Sequence, residues 1–309
     1  MQRASQKTIE WKRHKEVNVP WATYDAHRSN ECKRIIDLRE LFNLLDKPVH
    51  RREFKLSQLT ILILLKLLFG ISYRTLASAT RDLELYHLLE MKRAPCYKTI
   101  QNTMKHLTPG VLIRINQKLI PAVTHLGGLD SSGMKIHHKG AWIVIRFHKN
   151  PQQREFKKVH LFVDLVSKKI LYCCMTTGKA SDSKQLKKLL RGCQWMRIDI
   201  ILGDKGYDSR ECFNEITRFG ATPGIPVRRN ATKKARGCAS RRKAVLAQQK
   251  DYEQWKQQMQ YSMRCVVESV FSGLKRRFGE HLFSMKEGFR QVEMWLRTIL
   301  WNVMIYPRR

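Results

Sequence analysis

"IDIILGDKGYDSRECFNEITRFG", residues 198–220, decides the class of fold. Its first part is a β-branched run in which Ile198, Ile200, Leu202 and Asp204 share one face of an extended strand. Its second part reads as helix, opened by Asp208 and Glu211 at the spacing of a capping box. A further strand is expected at "TPGIPVR", 222–228. A strand running into a helix and back into a strand is an α/β pattern.

Working upstream, "HLGGLDSS" (125–132), "WIVIRF" (142–147), "KKVHLFVDLV" (157–166) and "KKILYCCMTT" (168–177) are short strand-like runs. "LVSKKI" between the last two has the look of a hairpin turn, and a helix is expected at "SDSKQLKKLLRGC", 181–193. A meander followed by alternating helix and strand predicts a mixed sheet with helices packed on it. Before residue 125 the chain reads as helical: a buried helix at 56–69, then 72–90, then 95–107 with Pro95 at its N-terminal position. The last two resemble a helix-turn-helix, a pattern shared by many small helical bundles. The expected organisation is an N-terminal extension at 1–50, a helical, helix-turn-helix-like DNA-binding region at 51–125, and an α/β domain at 126–309. Within that domain, 228–250 carries nine basic residues and no acid, so it is expected to be disordered when free and ordered on a polyanion.

The composition points to the same partner. Of 309 residues, 59 are Lys or Arg and 26 are Asp or Glu, a formal charge of +33, while 43% hydrophobic residues provide for a real core. A folded domain holding that charge repels itself, and a polyanion relieves it. Membrane is disfavoured, because the apolar run at 59–71 is short and contains Lys66. The N-terminus lacks the apolar stretch of a signal peptide, so the expected location is the cytoplasm, at the nucleoid. Eight cysteines show no C-x-x-C pair or zinc spacing and are expected as free thiols.

In so basic a chain the acids can be sorted by local duty. Asp208 and Asp182 read as helix caps, and Asp164 suits a turn. Asp204 continues an apolar row at a strand's C-terminal end, where α/β sheets place their sites. Asp130 ends a strand-like run, and turn and site are equally good readings of "DSSG". In "YSMRCVVESVFSGLKRRFG", 261–279, the residues Met263, Val266, Val267, Val270, Phe271 and Leu274 form a core face. Tyr261, Arg264, Glu268 and Lys275 form a second stripe, which alone would be a solvated edge with an i,i+4 ion pair. Asp130, Asp204 and Glu268 together make an oxygen-ligand set for two magnesium ions, with manganese as a substitute. Such a pair of ions suits in-line displacement at a phosphodiester.

At these residues the sequence resembles a DDE transposase of the insertion-sequence type. The motifs are "GLDSSG", "GDKGYDS", and Tyr261-x2-Arg264-x3-Glu268-x6-Lys275, which matches that family's Y-R-E-K signature. The resemblance implies an RNase H-like core and a metal-dependent endonuclease and strand transferase. It further implies action as an oligomer, expected here as a homodimer, on double-stranded DNA at terminal inverted repeats and at a target. It also implies that Asp130, Asp204 and Glu268 are the catalytic metal ligands and that Tyr261, Arg264 and Lys275 contact the DNA ends. Arg228, Arg229, Lys233 and Lys234 of the basic segment are expected on phosphates. The rival expectations are a transposase-derived DNA-binding protein without chemistry, and an RNase H-like nuclease.

Overall fold

A computed structural model describes residues 30–46, 53–136, 156–234 and 236–305. The expected strand at 142–147 lies outside the described residues, as does most of the 1–50 extension.

The N-terminal part is helical: α1 (Glu31–Asp37), α2 (Arg39–Phe42), α3 (Leu56–Phe69), α4 (Tyr73–Asp82), α5 (Leu85–Leu88), α6 (Tyr97–Thr103) and α7 (Pro109–Gln117). Eleven of the 14 residues of α3 are buried, which is why its apolar residues lie on every side; the buried Gln58 and Thr60 hydrogen-bond backbone carbonyls. Pro95 stands outside its helix, since Cys96 is the N-cap of α6; proline occupies the first turn of α7 instead. In α6, Ile100 and Thr103 face inward while Lys98, Gln101 and Asn102 face solvent.

The sheet comprises β1 (Val123–Ile136), β2 (Phe156–Asp164), β3 (Ile170–Thr177), β4 (Arg197–Leu202), β5 (Thr222–Gly224) and the two-residue β6 (His281–Leu282). Its order is β3-β2-β1-β4-β5, with β6 also on β1. The β1–β2 and β2–β3 pairs are antiparallel and the β1–β4 and β4–β5 pairs parallel. This is a mixed, RNase H-like sheet flanked by helices.

Strand β1 organises everything else. One edge pairs with β2 from Gly127 to Lys135. The other edge is shared: β4 takes Val123 to Gly128, and β6 takes Lys135 and Ile136. Between Gly128 and Lys135 that edge is left open by both strands. Asp130 therefore sits in mid-strand, and the turn reading of "DSSG" fails because Ser131, Ser132 and Gly133 all pair with β2.

Each face of the sheet has its own core. On one side pack α12 (Cys265–Phe278) and α13 (Glu287–Met304), together with α1, α3 and α7. On the other pack α8 (Leu186–Gly192), α9 (Arg210–Phe219) and α10 (Ala239–Lys250). Cys173 and Cys174, adjacent on β3, enter opposite cores as strand alternation requires. All eight cysteines are free. No single helix among the described residues is long and apolar enough to cross a membrane.

Several local expectations are corrected. Asp208 does not cap α9; Ser209 does, accepting from Cys212 N–H at 3.1 Å. Asp208 is instead buried against Arg241, with Nε to Oδ1 at 2.7 Å, and accepts the Arg228 backbone N–H. Asp182 makes no cap hydrogen bond and pairs with Lys158 at 2.8 Å. Asp164 does hold its turn, accepting from Val166 N–H and from Thr124 Oγ1. The second half of the basic segment is helical: it is α10, seated through Ala244 and Val245 and pinned by Arg241. That helix is continued by α11 (Tyr252–Gln258).

Candidate active site

The open edge of β1 is where Asp130 and Glu268 come together through Arg264. On β1 the even-numbered residues face α12. A Cβ on Gly128 would lie 2.6 Å from Val267 Cγ2. Asp130 Oδ2 is 3.4 Å from Arg264 Nη1, and Ser132 Oγ accepts from Lys275 Nζ at 2.8 Å. Period two on the strand thus meets the helical stripe one residue after another. Gly128 has no side chain because α12 passes too close for one.

Glu268 joins through the same arginine, whose Nη2 lies 2.5 Å from Glu268 Oε1. One guanidinium therefore binds carboxylates 134 and 4 residues away in sequence. Asp204 stands just beyond the end of β4, accepting Gly206 N–H at 2.9 Å. It thus caps a 3-10 turn of its own (Lys205–Tyr207). The Tyr261 hydroxyl donates to the Gly203 carbonyl at 3.3 Å, tying the third motif to the loop of the second. The Tyr261 ring leans on Trp255, with centroids 5.4 Å apart.

The electrostatics agree. Burial raises the Asp130 carboxyl, and Asp204 and Glu268 add like-charge repulsion, against the Ser131 N–H and Arg264, which lower it. Burial opposes the charge of Arg264, but its hydrogen bond to Glu268 and the fields of Tyr261 and Asp130 hold its pKa up. Burial pushes the Tyr261 phenol up to about 12. Tyr207, fully buried beneath the loop, is also raised by burial, then by Asp182, Asp130 and Asp204. Among the described residues no three His, Cys, Asp or Glu side chains are gathered tightly enough to hold one metal ion. The donor set nonetheless suits a hard divalent cation: it is all carboxylate oxygen, its charges repel, and a side-chain cation already lies between two of its members.

The predicted DNA contacts divide. Arg264 and Lys275 reach the acid cleft, whereas Tyr261 is half-buried with its hydroxyl engaged. Arg228, Arg229, Lys233 and Lys234 are exposed on the segment between β5 and α10, away from these side-chain contacts. Ser132 was not foreseen, although it lies two residues from Asp130 on one strand face.

A family model for the Transposase DDE domain matches residues 126–303, more than half of the chain. The chain belongs to this transposase family. DDE transposases use divalent metal ions, which agrees with the carboxylate set. Similar solved structures include a piggyBac transposase synaptic complex with hairpin DNA. It is 11% identical, with 93% of this chain and 74% of that chain covered and a TM-score of 0.41. The Mos1 strand transfer complex is 13% identical, with 84% and 75% covered and a TM-score of 0.30.

Proposed function

We propose that this transposase cuts double-stranded DNA at the terminal inverted repeats of an element and joins the freed 3′-hydroxyl to target DNA. It acts as a homodimer on DNA, with Asp130, Asp204 and Glu268 as ligands of two magnesium ions. The observation that carries this reading is the Arg264 guanidinium shared by Asp130 and Glu268 at the open edge of β1, beside the Asp204 loop. Bound there, the ions would activate the attacking oxygen and stabilise the leaving one. The chain supplies placement. The Ser131 N–H holds one oxygen of Asp130 at 2.7 Å, and Tyr261 holds the loop that carries Asp204. Arg264 and Lys275 offer positive charge to a phosphate in the cleft. The exposed Arg228, Arg229, Lys233 and Lys234 bind backbone phosphates farther out, with steep dependence on salt.

The test is nicking of supercoiled DNA with and without magnesium, beside binding measured by gel shift. Asp130→Asn, Asp204→Asn and Glu268→Gln should each abolish nicking and leave binding intact. A variant that cuts like the parent would remove that residue from the site. Binding without any metal-dependent cutting by the parent would favour a DNA-binding protein that lacks the chemistry.

A further inference from the structure

Arg264 occupies a place suited to a different cation. Its guanidinium contacts Asp130 and Glu268 at once, with only 22% of its side chain exposed. We propose that Arg264 is an internal counter-ion that holds the acid cleft against divalent metal until a DNA phosphate draws the guanidinium away. This rests on the metal-ligand reading above and adds its regulation.

A guanidinium on these carboxylates competes with a metal for their oxygens and repels its charge, so Arg264 lowers metal affinity in the free chain. Titration cannot release it, because arginine stays charged throughout the working range. A competing acceptor can, and phosphate offers the same paired oxygens as carboxylate. The cleft is built to survive the exchange. Asp130 keeps its bond to Ser131 N–H when Arg264 leaves, and Glu268 is anchored on α12 with its own side chain 56% exposed. Arg264 ends a 3-10 turn (Tyr261–Arg264) and stands at the N-cap of α12, where a change of rotamer leaves the helix intact. Linkage makes the effect reciprocal: a phosphate on Arg264 tightens metal, and metal tightens DNA by the same factor.

The experiment titrates the intact chain with Mn2+, read by loss of the free-ion electron paramagnetic resonance signal, so catalysis is not needed. Arg264→Gln should bind Mn2+ roughly three- to tenfold more tightly than the parent, the scale of a partly exposed ion pair. Arg264→Lys, which keeps the charge but cannot fork to both acids, should fall between. In a second arm, Mn2+ should tighten binding of a fluorescent blunt-ended duplex by the parent and not by Arg264→Gln. Equal Mn2+ affinity in the parent and Arg264→Gln overturns the counter-ion role. So does equal Mn2+ tightening of DNA in the two. Absence of Mn2+ binding in every variant, or binding that survives Glu268→Gln unchanged, instead removes the metal-site reading and the counter-ion with it.

Discussion

Alanine at Gly128 should damage catalysis without touching a single catalytic group. The added Cβ would lie 2.5 Å from Leu165 Cδ2 and 2.6 Å from Val267 Cγ2. An ordinary carbon contact is about 3.5–4.0 Å, so something must retreat by about 1 Å. Leu165 can turn its side-chain end aside. Val267 is β-branched on a packed helix and has little rotamer freedom, so α12 itself must move. Glu268 is the next residue on that helix, and a misplacement of about 1 Å can lower a rate by about 100-fold. Overpacking of this kind costs about 1–3 kcal/mol, or several degrees of melting temperature in a chain of this size. Nicking assays and thermal melts on Gly128→Ala, Val267→Ala and the double variant test this. Removing the Val267 methyls should restore much of the cutting lost to Gly128→Ala. Parental cutting and melting by Gly128→Ala would refute the close-approach reasoning, as would a double variant no better than the single one.

Other outcomes are expected on the same structure. Asp204→Cys should lose cutting in magnesium and regain part of it in manganese, which accepts softer ligands, while Asp208→Cys shows no metal-dependent rescue. Asp208→Asn should cost about 3 kcal/mol in urea unfolding, because it leaves Arg241 without its buried partner, and should expose 228–250 to trypsin. Retained trypsin resistance would show that α10 docks without that pair. Burial lowers the pKa of His160 from 6.5 to about 4, even with Asp182 opposing that shift. The unfolded chain then takes up a proton that the folded chain refuses, so stability present above pH 6.5 is lost as pH falls toward 4. The loss should be on the order of 3 kcal/mol, and His160→Gln should flatten that part of the melting-temperature profile.

Much of this was legible where a period was long and unbroken. The β-branched run from Ile198 marked β4, though Ile198 enters one core and Ile200 and Leu202 the other, and the stripe on 261–279 marked α12 with its core face of Val267, Val270, Phe271 and Leu274. The hidden parts depend on partners distant in sequence. Nothing local in "DSSG" says strand; pairing with β2 makes it one. The two residues of β6 have no periodicity at all, and they are positioned from α13, whose buried Arg297 donates to the carbonyls of Gly279 and His281. In the basic segment a helix signal was present: 239–250 has no Gly or Pro and is rich in Ala, Arg and Gln. Its charge suggested disorder, but a buried carboxylate on Asp208 neutralises one arginine and docks the helix. The capping choice between Asp208 and Ser209 differs by one residue, and only the route of the backbone decides it.

The division of β1 between β4 and β6 also orders events during synthesis. Asp130 and Asp204 leave the ribosome first, then the basic segment, and only afterwards the turn and helix that bring Arg264, Glu268 and Lys275. The contacts that join these to β1 span 134 and 143 residues, so they form late and slowly. Through that interval the growing chain presents much of its positive surface and two of its three acids, but not the third. A product interrupted between residues 250 and 261 would stay in that state. Without α12 and α13 it would leave much of one face of the sheet uncovered, an apolar surface and an unfinished site that mark it for proteolysis.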